Sequence, residues 1–320
     1  MNVSIAGERP LVSIIMIFLN GEGFFAEAVD SALGQTCQDF ELLLVDDGST
    51  DRSTRLALEY ERAHPGRVRY LEHPDHVNRG MSATRNLGIA AAQGRYIAFI
   101  DADDVWAAEK LEGQLAIMDA YPQAGMVCGA VNYWRSWSPG GEDVIVPTGH
   151  VTDCMTLPPE AMLALYPLGA AAAPCPSDLL LRTEVVRAVG GFEAHFTGPR
   201  MMYEDQGFLA KLYLSAPVYF SSHVWTHYRQ HANSCVAEVT SGGRYHEVRR
   251  YFLDWLETYV ASLPDVDGRV RSALRRALRP YRRPNLDAIL TSVSLIGCRW
   301  HRVRRIVDQL RALLQGPAKG

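Results

Sequence analysis

Hydrophobic and polar positions follow two alternating periods along the first hundred residues. Residues 11–19 form a continuous apolar, β-branched run, which is typical of a strand buried on both faces of a parallel sheet. Phe25, Val29 and Leu33 then lie four residues apart, as on one face of a helix over Phe24–Leu33. The same succession recurs in strands Phe40–Val45, Val68–Leu71 and Tyr96–Ile100 and in helices Arg52–His64 and Ser82–Gln93. This alternation predicts an open α/β sheet.

The periodicity loosens beyond Tyr121. Trp134–Pro139 and Pro158–Pro176 are rich in Trp, Pro, Gly and Ala, a composition that predicts loops around a binding surface. Helical patterning returns over Arg244–Leu263 and Arg269–Leu314, and no internal repeat is present. The second half is therefore expected to add loops and helices to the sheet.

Charge is distributed unevenly in a chain of otherwise ordinary globular composition. The net charge is −4, but the segment from Arg269 onward holds thirteen Lys or Arg and two Asp, a local balance of +11 that leaves −15 elsewhere. Pro280 and Pro284 are expected to break the helix there. The basic tail predicts contact with an anionic membrane face or with the acidic front of the chain. Nucleic acid is not an expected partner, because no recognition module accompanies the charge.

Targeting signals and cysteine usage indicate the cellular compartment of the protein. No apolar stretch is long enough to span a bilayer, and Met1–Pro10 lacks the pattern of a cleavable signal. The six cysteines are scattered without a CxxC pair. We therefore expect a cytoplasmic protein with reduced thiols, peripheral at the inner face of the membrane if the basic tail binds anionic lipid and not the acidic front of the chain.

A glycine-rich turn after the first strand is the first candidate for chemistry. The residues 21–26 read GEGFFA and fit the dinucleotide-binding pattern G-x-G-x-x-A, which indicates an NAD(P)-dependent oxidoreductase. Asn20 and Glu22 weaken this interpretation, because a carboxylate would face the pyrophosphate. An ordinary strand-to-helix turn explains the pattern better, because the isolated motif is degenerate and no hydride-transfer site follows in the chain.

Carboxylates follow two of the predicted strands. Asp46 and Asp47, before Gly48, can accept hydrogen bonds from a nucleotide base or ribose at the carboxyl end of the sheet. Asp101 and Asp103 project the same way from an extended backbone and can hold a divalent cation that bridges phosphate oxygens. Helix capping for the first pair and a solvated turn for the second are the alternatives.

Two later segments carry further polar groups. Asp205 opens an apolar helical run, where it acts either as a helix cap or as a general base. Arg229 is a candidate for pairing with phosphate, and His231 for completing a metal shell, although a histidine often only hydrogen-bonds in the core. Neither a Ser-His-Asp order nor a P-loop is present, so hydrolase and NTPase interpretations have no support.

Taken in order, these segments resemble the family 2 glycosyltransferases, the GT-A group that includes polysaccharide and lipopolysaccharide synthesis enzymes. The resemblance is carried by Val12–Thr36, Phe40–Asp51, Arg85–Asp104, Val189–Phe192, Tyr203–Leu212 and Tyr228–Ser234. It implies a GT-A fold, with an open, mostly parallel Rossmann-like sheet. The implied domains are a nucleotide-sugar-binding half (1–125), an acceptor-binding half (126–236) and a basic helical C-terminal extension (237–320).

The resemblance also implies a role for each matched position. The nucleotide is expected to contact Phe18, Leu19, Asn20, Glu22, Asp46, Asp47, Gly48, Arg85, Asp101 and Ala102. A divalent cation, Mn²⁺ or Mg²⁺, is expected at Asp101, Asp103 and His231, and the acceptor at Gly191, Phe192 and Glu204. Asp205 matches the catalytic base of the inverting members.

The implied reaction is inverting transfer of one sugar from a nucleoside diphosphate carrier to a hydroxyl of a glycan or lipid-linked acceptor. A UDP-sugar is the favoured donor. Ile17 and Leu19 stand where the family often has Thr or Ser and then Tyr, so the base is expected against aliphatic side chains. The oxidoreductase and a non-catalytic carbohydrate-binding module with the same fold are the alternatives.

Overall fold

Strand and helix alternate through the first part of the chain, as predicted. A computed structural model describes residues 9–149, 151–231 and 234–282, except for the side chain of Glu238. The first elements are β1 (Val12–Phe18), α1 (Phe25–Leu33), β2 (Phe40–Asp46), α2 (Ser53–Ala63), β3 (Val68–Glu72), α3 (Met81–Ala91) and β4 (Tyr96–Asp101). Their four strands are all parallel in the order β3-β2-β1-β4.

The apolar runs form strands because both of their faces are covered. All seven residues of β1 and all seven of β2 are buried. α1 covers this part of the sheet with Phe25, Ala28, Val29 and Ala32, which recur at helical spacing. Burying a side chain the size of Phe25 or Val29 contributes about 1.5–3 kcal/mol relative to leaving it exposed.

The remaining described elements extend the sheet and cover it. They are β5 (Val105–Trp106), α4 (Lys110–Ala120), β6 (Met126–Trp134), β7 (Val144–Val146), β8 (Cys154–Thr156), α5 (Glu160–Ala164), β9 (Leu180–Arg182), α6 (Thr183–Ala188), α7 (Glu204–Ser215), β10 (Val218–Arg229), α8 (Cys235–Ser241), α9 (Tyr245–Ser262) and α10 (Gly268–Arg282). Within the described ranges the strand order continues β4-β9-β6-β10-β5, with β7 on β6 and β8 on β10. The sheet becomes mixed here, because β9 runs antiparallel to both β4 and β6.

The C-terminal helices confirm one sequence expectation and correct another. α9 matches the helix predicted over Arg244–Leu263. The break predicted at Pro280 is wrong, because α10 continues through it to Arg282. The φ that proline imposes is itself helical, so α10 accommodates Pro280 despite the loss of one backbone hydrogen bond. Pro284 and the rest of the predicted helix lie outside the described residues.

Contacts divide the chain after Ala273, and the first unit contains the whole described sheet. The domain boundaries predicted near residues 125 and 236 stay predictions. No helix within the described ranges is long and apolar enough to cross a bilayer.

Candidate active site

A cavity of about 1180 Å³ opens beyond the carboxyl ends of β1, β4, β6 and β10. Its lining includes five carboxylates, from Asp47, Asp101, Asp103, Glu204 and Asp205. The acids that follow β2 and β4 meet here because β1 alone separates those two strands. In the sheet register Phe18 faces Asp46 and Ile17 faces Asp101, so the two strand ends lie on the order of 10 Å apart.

Asp47 is held rigidly at the rim of this cavity. Its backbone N–H donates to the Phe18 carbonyl at 2.9 Å, which ties the turn to the end of β1. Its Oδ1 accepts the backbone N–H of Arg79 at 2.7 Å, and its Oδ2 accepts that of Gly80 at 3.0 Å. A buried carboxylate that accepts several backbone N–H groups keeps one orientation.

Gly48 allows the chain to turn directly after Asp47. Its φ is +83°, and a Cβ there would lie 2.8 Å from the Asn78 backbone nitrogen and 2.9 Å from the His76 carbonyl oxygen. Gly66 has a similar φ of +79° but nothing within 4 Å of such a Cβ. Gly48 is therefore required for the backbone of residues 76–78 to pack against this turn.

Replacing Gly48 by alanine is expected to destabilise the fold through both its φ and this close packing. We expect Gly66→Ala to lower the free energy of unfolding by about 1 kcal/mol, through φ alone, and Gly48→Ala by at least about twice as much. Urea unfolding measures both values. Equal losses in the two variants would show that the segment 76–78 moves aside without cost.

Asp46 and Glu22 were expected to bind the nucleotide, but neither lies among the residues that line the cavity. Asp46 is fully buried and accepts hydrogen bonds from the Ser49 backbone, the Thr54 hydroxyl and, at 3.2 Å, the Tyr70 hydroxyl. Glu22 accepts the backbone N–H and the side-chain Nε of Arg52, both at 3.0 Å. Both carboxylates are thus engaged with the chain itself.

Other residues predicted beside the nucleotide do line the cavity. They are Phe18, Leu19, Asn20, Asp47, Arg85, Asp101 and Ala102. Asn20 adopts a positive φ of 52°, and its Oδ1 accepts the backbone N–H groups of Thr50 and Asp51. This side chain therefore joins the ends of β1 and β2 at the cavity.

A buried guanidinium joins two acids of the cavity. Arg85 Nη2 donates to Asp101 Oδ1 at 2.6 Å, and Nη1 pairs with Glu204. Burial raises the pKa of Asp101, with Arg85 opposing the shift, and raises the pKa of Glu204 to about 8. Glu204 Oε2 is buried and has no hydrogen-bond partner among the described residues. Glu204 therefore binds Arg85 through one carboxylate oxygen and keeps the other buried without a partner among the described residues.

Asp205 lies in the first turn of α7, beside Glu204. Its Oδ1 accepts the Gln206 backbone N–H at 2.6 Å, and its Oδ2 accepts the Gln206 side-chain amide at 3.3 Å. Burial raises the pKa of Asp205 to about 6, although the Gln206 backbone and Arg85 oppose the shift. A carboxylate with this pKa accepts a proton readily near neutral pH.

The predicted metal ligands come together only in part. Asp103 Oδ2 lies 2.8 Å from His231 Nε2, whereas Asp101 accepts a hydrogen bond from Arg85. No group of three or more His, Cys, Asp or Glu side chains in the described part of the chain is arranged to hold a metal ion. The Asp103–His231 pair nonetheless fits Mn²⁺ or Mg²⁺, which take one or two protein ligands when substrate phosphates and water fill the other positions.

Arg229 does not face the cavity, so its predicted pairing with phosphate is wrong. Its Nε donates to the Asp103 carbonyl at 2.7 Å, and its Nη2 pairs with Glu27 at 2.5 Å. The guanidinium also lies 4.5 Å from the Phe24 ring centroid and 4.2 Å from that of Trp134. Strand β10 directs this side chain beneath the turn after β4.

Gly191 and Phe192 lie behind the cavity instead of lining it. The Phe192 ring stacks on Phe208 at 4.2 Å, and the Arg85 guanidinium lies 5.3 Å from its centroid. Gly191 has a φ of +64°, and a Cβ there would lie 2.4 Å from Asn86 Oδ1. Phe192 therefore supports Arg85 from below, and Gly191 allows the close approach of Asn86.

Several lining residues were not singled out in the sequence, and most of them carry no motif. Residues 170–176 belong to the segment expected to form loops around a binding surface. Individual side chains without such a signal are Asn78, Met81, Tyr133, Met201, Met202 and Arg244.

The glycine-rich turn after β1 shows no need for its glycines. A Cβ on Gly21 would meet its nearest atom at 3.7 Å, and one on Gly23 would meet nothing within 4 Å. Neither glycine has a positive φ. In a dinucleotide-binding turn the glycines serve tight turning and close approach, so this geometry favours the ordinary strand-to-helix turn.

Comparison with known proteins identifies a domain that contributes part of this cavity. Residues 13–142 match the model of Glycosyl transferase family 2. The chain carries a family 2 glycosyltransferase domain. An uncharacterized glycosyltransferase of Haemophilus influenzae is 38% identical over 151 residues, which cover 46% of this chain and 57% of that protein.

A second relative of the glycosyltransferase domain has a named activity. The UDP-Glc:alpha-D-GlcNAc-diphosphoundecaprenol beta-1,3-glucosyltransferase WfgD of Escherichia coli is 39% identical over 108 residues, 34% of this chain and 41% of that protein. The chain thus spans about half the length of these two relatives.

Solved structures show the same fold as the glycosyltransferase domain at lower identity. Staphylococcus aureus TarS 1–349 in complex with UDP-GlcNAc has a TM-score of 0.61 and 20% identity over 86% of this chain and 74% of that chain. The mannosyltransferase PcManGT of Pyrobaculum calidifontis, in complex with GDP-Man and Mn²⁺, has a TM-score of 0.54 and 16% identity over 96% of this chain and 81% of that chain. The predicted GT-A fold is confirmed.

Proposed function

We propose that this protein transfers a sugar from a UDP-sugar to a hydroxyl of a glycan or lipid-linked acceptor, with inversion at the anomeric carbon. One observation carries the proposal. Asp47 after β2 and the Asp101–Asp103 segment after β4 line the same cavity, across the end of β1. Ligands of open α/β sheets bind beyond the carboxyl ends of the strands.

The nucleotide lies, in this proposal, between these two groups of acids. Asp47 accepts a hydrogen bond from the uracil or ribose, with its orientation held by the backbone of Arg79 and Gly80. Ile17 and Leu19 provide an aliphatic surface for the base. The UDP-sugars named for WfgD and for the TarS complex support UDP as the carrier, whereas the PcManGT complex contains GDP-Man.

A divalent cation fits beside the diphosphate, with Asp103 and His231 as its protein ligands. Such a cation, when bound, neutralises the negative charge of a departing diphosphate. The Mn²⁺ in the complex of PcManGT supports this assignment. Arg85 holds Asp101 close by, so a second carboxylate contributes to the field that attracts the cation.

Asp205 is, in this proposal, the base of the transfer step. Its carboxylate takes the proton of the acceptor hydroxyl as the oxygen bonds to the anomeric carbon and the bond to the diphosphate breaks. A single displacement of this kind inverts the configuration. Glu204, which lines the cavity beside Asp205 and pairs with Arg85, is assigned to the acceptor side of the site.

The pKa of Asp205 predicts how the transfer rate depends on pH. Because the base acts when ionised and its pKa is about 6, kcat/KM is expected to fall about tenfold per unit as the pH drops below about 6 and to level off above it. A pH series of initial rates at saturating metal measures this. A profile without a break near pH 6 would remove Asp205 as the base.

The proposal is tested by a donor panel. Release of the nucleoside diphosphate from UDP-, GDP- and dTDP-sugars is measured with Mn²⁺ or Mg²⁺, with and without sugar acceptors. We expect slow UDP release that requires the metal. Release from none of the donors, while UDP still binds, would favour the non-catalytic carbohydrate-binding alternative.

Attachment to an anionic membrane surface stays a proposal that rests on the basic tail. Arg269 pairs with Asp267 at 2.8 Å and with Glu160 at 2.7 Å, so one of its arginines contacts acids of the chain itself. The arginines beyond Arg282 lie outside the described residues. Flotation with anionic vesicles tests the attachment, and an absence of salt-sensitive binding would remove it.

A further inference from the structure

The turn after β4 is anchored from beneath by buried groups that do not line the cavity. Asp104 ends this turn, and its backbone N–H donates to the Asp101 carbonyl at 3.1 Å. Its carboxylate is fully buried and accepts hydrogen bonds from the Ser177 hydroxyl and from the Arg229 backbone N–H at 2.9 Å. A buried carboxylate needs such donors, so Asp104 binds the turn firmly to these two residues.

Ser177 reaches one side of the turn from the 3-10 helix Pro176–Asp178. Its hydroxyl donates to Asp104 and accepts the Asp101 backbone N–H at 3.0 Å. Its own carbonyl accepts the Trp106 indole N–H at 2.6 Å. Ser177 is itself fully buried, so water cannot replace these bonds.

Arg229 reaches the other side of the turn from the end of β10. Its Nε donates to the Asp103 carbonyl at 2.7 Å, while Glu27 pairs with its Nη2. The rings of Phe24 and Trp134 hold the guanidinium plane at 4.5 and 4.2 Å from their centroids. A planar guanidinium with several directed donors forms such an arrangement, which a lysine ammonium does not reproduce.

We propose that Ser177 and Arg229 are positioning residues for the acids that hold the donor. Together they bond the backbone N–H of Asp101, the backbone carbonyl of Asp103 and the buried carboxylate of Asp104. The two acids that face the cavity therefore keep a fixed separation and direction. This inference rests on the proposed function, and it explains why Arg229 is buried while His231, two residues later, reaches Asp103 from the cavity side.

Ser177→Ala tests the contribution of Ser177 to this positioning. Groups that orient metal ligands typically change metal affinity or activity by 10–100-fold, so we expect a Mn²⁺ dissociation constant in the UDP complex about tenfold higher and a kcat about 10–100-fold lower. The acceptor KM stays near its original value. Electron paramagnetic resonance of Mn²⁺ and steady-state kinetics measure these constants. Ser177→Thr keeps the hydroxyl and is expected to restore both.

Ser82→Ala is the matched control. Ser82 is also buried, and its hydroxyl has no hydrogen-bond partner among the described residues. Its substitution is expected to leave the Mn²⁺ affinity and kcat unchanged. Melting temperatures of all variants show whether a loss of Mn²⁺ affinity or kcat results from a less stable fold or from a changed geometry of the turn.

If Ser177→Ala does not fold, Arg229→Lys tests the positioning role instead. It retains the positive charge beside Glu27 but cannot bond both Glu27 and the Asp103 carbonyl, so the same rise in the Mn²⁺ dissociation constant is expected. Wild-type Mn²⁺ affinity and kcat in the folded variants would overturn the proposal. If the wild-type protein itself binds no Mn²⁺ with UDP and releases no UDP, the proposed function fails instead.

Discussion

Asp205→Asn is expected to lower kcat for sugar transfer by about 10²–10⁴-fold, the range typical of a general base. The amide keeps the shape of the side chain but cannot take the proton from the hydroxyl of the acceptor. Binding of UDP with Mn²⁺ should be unchanged, because both carboxylate oxygens of Asp205 hydrogen-bond to Gln206. Single-turnover transfer and UDP titration measure the two effects separately.

Asp119→Asn is the control for this change. Asp119 is an exposed carboxylate on α4, outside the residues that line the cavity, so its substitution is expected to leave both kcat and UDP binding as they are. Near-normal transfer by Asp205→Asn would contradict the assignment of the base and would leave the nucleotide site in place.

Asp103→Asn is expected to lower kcat by about 10³-fold and to weaken donor binding as well. Charge stabilisation by a bound cation amounts to several kcal/mol, and Asp103 is the carboxylate paired with His231 where that cation fits. The variant should also lose the Mn²⁺-dependent rise in melting temperature on adding UDP, since ligand stabilisation follows affinity. Thermal denaturation with and without Mn²⁺ measures this second effect.

The two variants therefore separate the cation site from the base. Asp205→Asn is expected to retain stabilisation by UDP and Mn²⁺, whereas Asp103→Asn is expected to lose it. Retention of the full Mn²⁺-dependent stabilisation by Asp103→Asn would show that the cation binds elsewhere. Asp119→Asn again provides the baseline for removing a carboxylate.

The parallel part of the fold could be predicted because its signals are local. β1 and β2 are apolar on both faces, and the helix after β1 repeats its buried side chains every three or four residues. The position of Asp47 and Asp101 followed from one topological rule, that parallel strands in a sheet end at the same edge. The bounds of α9 followed from its helical periodicity alone.

The division between acids that face the cavity and acids that support it could not be predicted. Asp46 and Asp47 are adjacent, yet one caps the following turn and the other lines the cavity. Arg229 lies two residues before His231 but points under the turn, because Phe24, Trp134 and Glu27 surround it there. These partners come from distant parts of the chain, so only the packed structure distinguishes them.

The most direct test of the central claim is calorimetric titration of the protein with UDP, with and without Mn²⁺, beside a titration with NAD. The account predicts that UDP binds more tightly with Mn²⁺, that Asp47→Ala weakens this binding and that NAD gives no heat of binding. Binding of NAD, or an affinity for UDP that ignores both Mn²⁺ and the loss of Asp47, would contradict a nucleotide-sugar site between the ends of β2 and β4.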